Sequence, residues 1–167
     1  ELNSEAGREA AAIAPLYYAA ISAIDAQVGR LMGSLDALGL AQDTLVIFTS
    51  DHGQQMGSHG LLYKNVPFEE SMRIPFVLRW PGHLDASAAG AGLSSVDIAP
   101  TLLGLLGFGG AVPARMHGRD VSATLLNGTA GSVPQEVPAS ALYFYYPRDD
   151  QDADMRGLRT DTSKFIA

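Results

Sequence analysis

The chain has 167 residues, a net charge of −7 at pH 7 and no cysteine. Its length suits one ordinary domain with a real core, and its hydrophobic (47%) and charged (17%) shares exclude a disordered or coiled-coil chain. The acidic balance argues against nucleic-acid binding, which needs a basic face; the missing cysteine removes disulfides, thiolate metal sites and a cysteine nucleophile from these residues; and no apolar run reaches the ~18 residues of a membrane span.

Tyr17, Ile21, Ile24, Val28, Leu31, Leu35 and Leu38 recur at alternating spacings of four and three, the apolar stripe of an α-helix. Pro15 fits the first turn of that helix, and Gly39 is placed to stop it. After a turn at Ala41-Gln42-Asp43, the run from Thr44 to Thr49 is apolar and rich in β-branched residues. It predicts a strand covered on both faces, the mark of a parallel sheet in an α/β fold. A Gly-rich and His-containing stretch follows from Asp51 to Ser71, long enough to suggest a functional loop. Pro75 to Trp80 predicts a second strand ended by Pro81-Gly82, with a surface loop over His83 to Gly92. Ser95 is placed to cap a helix carrying Val96, Ile98, Ala99, Leu102, Leu103 and Leu106, closed by Gly107. Gly109 to Pro138 reads as coil. Ala141 to Tyr146, Met155 to Arg159 and Lys164 to Ala167 predict three more strands, the last two paired through Thr160 to Ser163. The chain stops inside that last strand, so it reads as a piece of a longer protein.

Chemistry concentrates at the end of the first strand, in Phe48-Thr49-Ser50-Asp51-His52-Gly53, continuing to Gly57-Ser58-His59-Gly60 and Lys64. In open α/β sheets ligands bind outside the carboxyl ends of strands, and Gly53 permits the turn that brings Asp51 and His52 to one side. A carboxylate beside a neutral imidazole suits a divalent cation, one ligand hard and the other borderline. Lys64 lies in a loop able to return to the strand end, where an ammonium can meet an anionic group. Each residue alone also has an ordinary reading. An Asp after a strand is commonly a turn or a helix cap, His59, His83 and His117 are loop histidines of the solvated kind, and a lone Lys usually faces water.

Together these segments resemble the sulfatase family of the alkaline-phosphatase superfamily. Thr44 to Gly53 is similar to the family strand followed by its metal-ligand pair, and Gly57-Ser58-His59-Gly60-Leu61-Leu62-Tyr63-Lys64 to its glycine-histidine loop ending in an active-site lysine. Phe68 to Pro75 with Arg79-Trp80-Pro81-Gly82 resembles the entry to the next strand. Tyr17 to Ile21 with Asp25 and Val28 to Arg30 resembles the preceding helix, and Val96 to Leu103 the following one. Arg156 to Asp161 with Lys164 to Ile166 resembles the start of a small C-terminal sheet. The resemblance is in order and covers most of the chain.

The resemblance implies an α/β chain, part of an alkaline-phosphatase-like α/β/α sandwich. Residues 1–138 would be the C-terminal half of the catalytic domain, and 139–167 the start of a small antiparallel C-terminal subdomain. It implies Asp51 and His52 as metal ligands, the metal being calcium by family usage, with manganese also tolerated. Lys64 is implied as the catalytic, substrate-binding cation, and His59 as substrate-facing or as a shaper of the loop. Asp25, Asp97 and Arg73 are expected to be structural. The Asp-His pair, where many sulfatases carry Asn second, resembles the branch of choline sulfatases, iduronate sulfatase and phosphonate monoester hydrolases. The family nucleophile is a formylglycine made within Cys/Ser-x-Pro-x-Arg. No cysteine exists here, and Ser50, Ser58 and Ser71 all lack that context, so the nucleophile is expected in a missing N-terminal half and this chain alone is expected to be inactive. The implied substrate is a sulfate ester, small molecule or sugar. The alternatives are a phosphonate-ester or phosphodiester substrate, or a non-catalytic domain that keeps the fold.

Three weaker features complete the reading. Asn127-Gly128-Thr129 fits a glycosylation sequon. Tyr143, Phe144, Tyr145 and Tyr146 suit a half-buried strand or a sugar platform. Asp149, Asp150, Asp152 and Asp154 form an acidic loop that is ordinarily just solvated.

Overall fold

The computed structural model describes residues 4–86, 93–113, 115–127, 141–145, 155–159 and 163–166. The chain forms two compact units, Glu1–Pro81 and Gly82–Ala167. The expected boundary between 138 and 139 lies outside the described residues, as do part of the sequon and the whole acidic loop.

The first unit opens with α1, Glu5–Ala37. It begins a full ten residues before Pro15, because Ser4 caps it by accepting from the Gly7 N–H at 3.0 Å and the alanine-rich turns that follow are strong helix formers. Pro15 therefore sits inside the helix rather than in its first turn. This N-terminal extension also amends the expectation on membrane length, since α1 is long and apolar enough to cross a membrane by length and composition. Its close is as expected. Gly39 adopts φ +68°, and the Leu40 N–H reaches back to the Leu35 carbonyl at 2.9 Å, the pairing that a left-handed residue past a helix end allows.

Strand β1, Val46–Thr49, pairs with β2, Phe76–Arg79. The pairing is antiparallel, Val46 opposite Arg79 and Thr49 opposite Phe76, where the apolar run predicts a parallel strand. The connection explains the difference. A parallel neighbour needs a crossover helix, whereas residues between β1 and β2 hold only a 3-10 turn at Ser58–Gly60 and α2, the single turn Glu69–Met72. Nor is the strand covered on both faces here, for Ile47, Phe48 and Val77 are exposed. The strand ends are tied back to the end of α1 by Arg79 to Asp36 at 3.1 Å and to the turn after it by the Trp80 indole N–H to the Gln42 carbonyl at 2.9 Å.

In the second unit, α3 spans Ser95–Leu105. Ser94, not Ser95, is its cap residue, and Asp97 closes the first turn by accepting the Ser94 N–H at 3.0 Å. Asp97 is 2% exposed and also accepts the Arg119 N–H at 2.7 Å and its guanidinium at 3.0 Å. Buried Thr101 joins the same contact, accepting the Val121 N–H ahead of α4, Ser122–Leu126. The last element is a three-stranded antiparallel sheet of β3, Ala141–Tyr145, β4, Met155–Arg159, and β5, Lys164–Ile166. It has β4 in the centre and Gly157 opposite Ile166, the pairing the sequence predicts.

Candidate active site

Beyond Thr49 the backbone leaves β1 and turns. Ser50 steadies the turn by donating its hydroxyl to the His52 carbonyl at 2.6 Å, while Asp51 Oδ1 accepts the His52 N–H at 2.9 Å. Gly53 then passes against α2. Its N–H bonds the Ser71 carbonyl at 2.8 Å, and a Cβ there would collide with the Glu70 carbonyl oxygen. Only glycine fits that approach.

The next eleven residues fold back on themselves. Gln55 N–H bonds the Tyr63 carbonyl, Met56 N–H the Leu62 carbonyl, and Gly57 N–H the Leu61 carbonyl, with the Gln54 amide also donating to Leu62. The reversal at the tip uses left-handed backbone at Met56, Gly57, His59 and Gly60. Gly57 packs against the Gly7 and Ala10 turns of α1, where a Cβ on it would press to 3.0 Å from the Ala10 Cβ, and this contact seats the loop on the first turns of that helix. Lys64 returns at the base of this hairpin.

Three side chains meet there. His52 Nε2 lies 3.2 Å from Asp51 Oδ2 and 2.6 Å from Lys64 Nζ. Its other nitrogen, Nδ1, faces the Gly53 carbonyl at 2.8 Å. A carbonyl only accepts, so Nδ1 carries a hydrogen, and when the ring is neutral its Nε2 presents the lone pair. A carboxylate and an imidazole lone pair therefore converge, with an ammonium beside them. Partial desolvation pushes the Asp51 carboxyl up, but the His52 N–H, the charge of the His52 ring when it is protonated, its own N–H and Lys64 together hold it below the ordinary aspartate value. The group stays ionised at neutral pH and open to solvent.

The expected residues do not all come together. Asp51, His52 and Lys64 form the cluster. His59 faces another way, its ring stacked on Phe68 with centroids 3.9 Å apart and its Nε2 3.5 Å from Glu70 Oε1. Phe68 and Glu70 thus support the site, a role that sequence reasoning missed although their segment, Phe68 to Pro75, carries part of the family resemblance. Among the described residues no group of three or more His, Cys, Asp or Glu side chains is poised to hold a metal ion. The donor set of Asp51 and His52 fits a divalent cation in kind, and in number it supplies two ligands.

The sulfatase family profile matches residues 3–108, and the profile for the C-terminal region of N-sulphoglucosamine sulphohydrolase matches 57–167. An endo-4-O-sulfatase of Bacteroides thetaiotaomicron is 38% identical over 139 residues, which are 83% of this chain and 27% of that protein. Among solved structures, the yidJ protein of Bacteroides fragilis superposes with a TM-score of 0.85 at 32% identity, over 98% of this chain and 34% of its own. The phosphonate monoester hydrolase of Agrobacterium radiobacter gives 0.78 at 30% identity, over 96% and 34%. The chain thus spans about a quarter of the curated relative it matches and a third of these structures. The fold is part of an alkaline-phosphatase-like α/β/α sandwich with a small antiparallel C-terminal sheet.

Proposed function

The chain belongs to the sulfatase family, as a C-terminal portion of its catalytic domain, and from that premise we propose that it carries one wall of the active site of a metal-dependent sulfuric ester hydrolase. One observation carries this reading: Asp51 Oδ2 and Lys64 Nζ both lie within 3.2 Å of His52 Nε2 at the end of β1. A carboxylate, an imidazole lone pair and an ammonium at one point are the components for gripping an anionic ester beside a cation.

In this reading Asp51 and His52 hold a divalent cation, calcium by family usage or manganese, which supplies Lewis-acid polarisation of the ester oxygens. The Nδ1–H bond to Gly53 keeps the imidazole in the tautomer a ligand needs. Lys64 contributes a fixed positive charge where negative charge gathers as the ester bond breaks. The formylglycine nucleophile and the remaining metal ligands come from outside these residues, so the chain alone turns over no substrate. The match to the N-sulphoglucosamine sulphohydrolase profile favours a sulfated sugar as substrate.

The likeness to a phosphonate monoester hydrolase supports a second reading, in which the same three residues serve a phosphonate ester. The test offers the full-length enzyme an aryl sulfate and a phenyl phosphonate ester side by side, with added divalent metal. Sulfate preference, abolished by chelator, is the expected result. Phosphonate preference would replace the first reading with the second, and turnover of neither would sink both.

A further inference from the structure

We infer that His59 is a positioning residue: held between Phe68 and Glu70, it locks the hairpin that carries Lys64 to the segment that fixes Asp51 and His52. The inference rests on the role proposed for Lys64.

The hairpin from Gln54 to Lys64 is tied by its own backbone bonds into one unit. Its base delivers Lys64 to His52, and its tip, Ser58–Gly60, follows the Gly57 seat on α1 and takes a second hold through His59. Beside the seat of Gly57 on α1, the tip is gripped by Phe68 and Glu70, at the start of α2. The His59 ring lies at 13° to the Phe68 ring at stacking distance, and the Glu70 carboxylate draws both the His59 Nε2 and the Ser58 hydroxyl. His59 adopts φ +55°, a conformation side-chain contacts must hold in a non-glycine residue. The same short α2 also grips the other half of the site, since the Glu70 and Ser71 carbonyls bracket Gly53. α2 is thereby a common post for both halves, and His59 is the link on the lysine side. A ring with one face covered by Phe68 and one nitrogen committed to Glu70 serves the loop rather than the substrate.

The experiment is a double-mutant cycle in the full-length, metal-loaded enzyme, with kcat/KM for an aryl sulfate and thermal unfolding measured on each variant. K64A is expected to lower kcat/KM strongly. H59A is expected to lower it roughly tenfold to a hundredfold, mostly in kcat, as a misplaced catalytic group does. In the K64A background the same His59→Ala change should cost less than about twofold, because there is no longer a lysine to place. F68A should copy H59A, and His59→Gln, which keeps the link to Glu70, should recover part of the loss. If the losses of H59A and K64A simply multiply, His59 acts on its own and the positioning role is wrong while the reading of Lys64 stands. If K64A is near normal, that reading fails and the positioning role falls with it. Should H59A not fold, F68L and E70Q take its place in the cycle: a loss that vanishes in the K64A background supports the positioning role, and a loss that multiplies overturns it.

Discussion

Gly53 shows how a single absent methyl group can govern this site. A Cβ would run into the Glu70 carbonyl oxygen, a backbone atom that cannot swing aside. Gly53→Ala should therefore cost on the order of 3 kcal/mol or more, read as a shift in the denaturation midpoint of the full-length protein. Gly60 makes the control. It has φ +73° but open space around it, so Gly60→Ala should lose only about 1–2 kcal/mol, the cost of left-handed backbone. If the two substitutions cost the same, backbone conformation and not the approach of α2 sets the requirement at Gly53. The side chains at this scale were legible from type and order. Asp51, His52 and Lys64 announced themselves as a carboxylate, an imidazole and an amine around a turn. The partners of His59 did not, because a stacking contact with Phe68 leaves no spacing signature.

At the scale of elements, α3 depends on a buried carboxylate. Burial pushes the Asp97 carboxyl up, but the Arg119 and Ser94 N–H groups and the Arg119 guanidinium outweigh it and hold the acid below the ordinary aspartate value. Because the folded form releases its proton more readily than the unfolded chain, the contribution is complete above about pH 4 and is lost as pH falls through the lowered folded value. Asp97→Asn should lower stability by about 2 kcal/mol at pH 7, and the gap from the unsubstituted protein should close in acid. A gap that stays constant with pH would show the effect to be steric. The positions of α3 and of the strands were legible because period and turn residues are local, whereas α4 lies in the stretch that reads as coil, too short to show a period. Direction of pairing was not legible: β1 has the composition of a buried parallel strand, and only the short α2 connection reveals that it meets β2 head to tail. The start of α1 was hidden for a related reason, since alanines between Glu5 and Ala14 carry helix propensity without an apolar stripe.

For the whole molecule, the question is what faces the stripe on α1. No charged residue lies between Glu9 and Asp25, and that stretch gives α1 the apolarity of a membrane span. The sulfatase match nevertheless takes in the helix from residue 3, which assigns it to the catalytic domain. Yet Ile21, Ile24 and Leu31 are 47%, 54% and 53% exposed here, a larger apolar face than soluble domains usually leave to water. The same seven-residue step that put Ile24 and Leu31 on one face in the sequence puts them on one exposed ridge in the structure. In a full-length protein of its relatives' size, of which this chain would span about a quarter to a third, that ridge should be covered. The two settings then give opposite signs for one substitution. Ile24→Glu or Leu31→Glu should destabilise the full-length protein by roughly 2–3 kcal/mol, the loss of a buried apolar side chain and the burial of a charge. In the 167-residue chain on its own the same changes should leave helix content unaltered, raise solubility and reduce binding of a hydrophobic dye. Unchanged stability in the full-length protein would mean that the ridge stays open there and meets a membrane or a second protein instead.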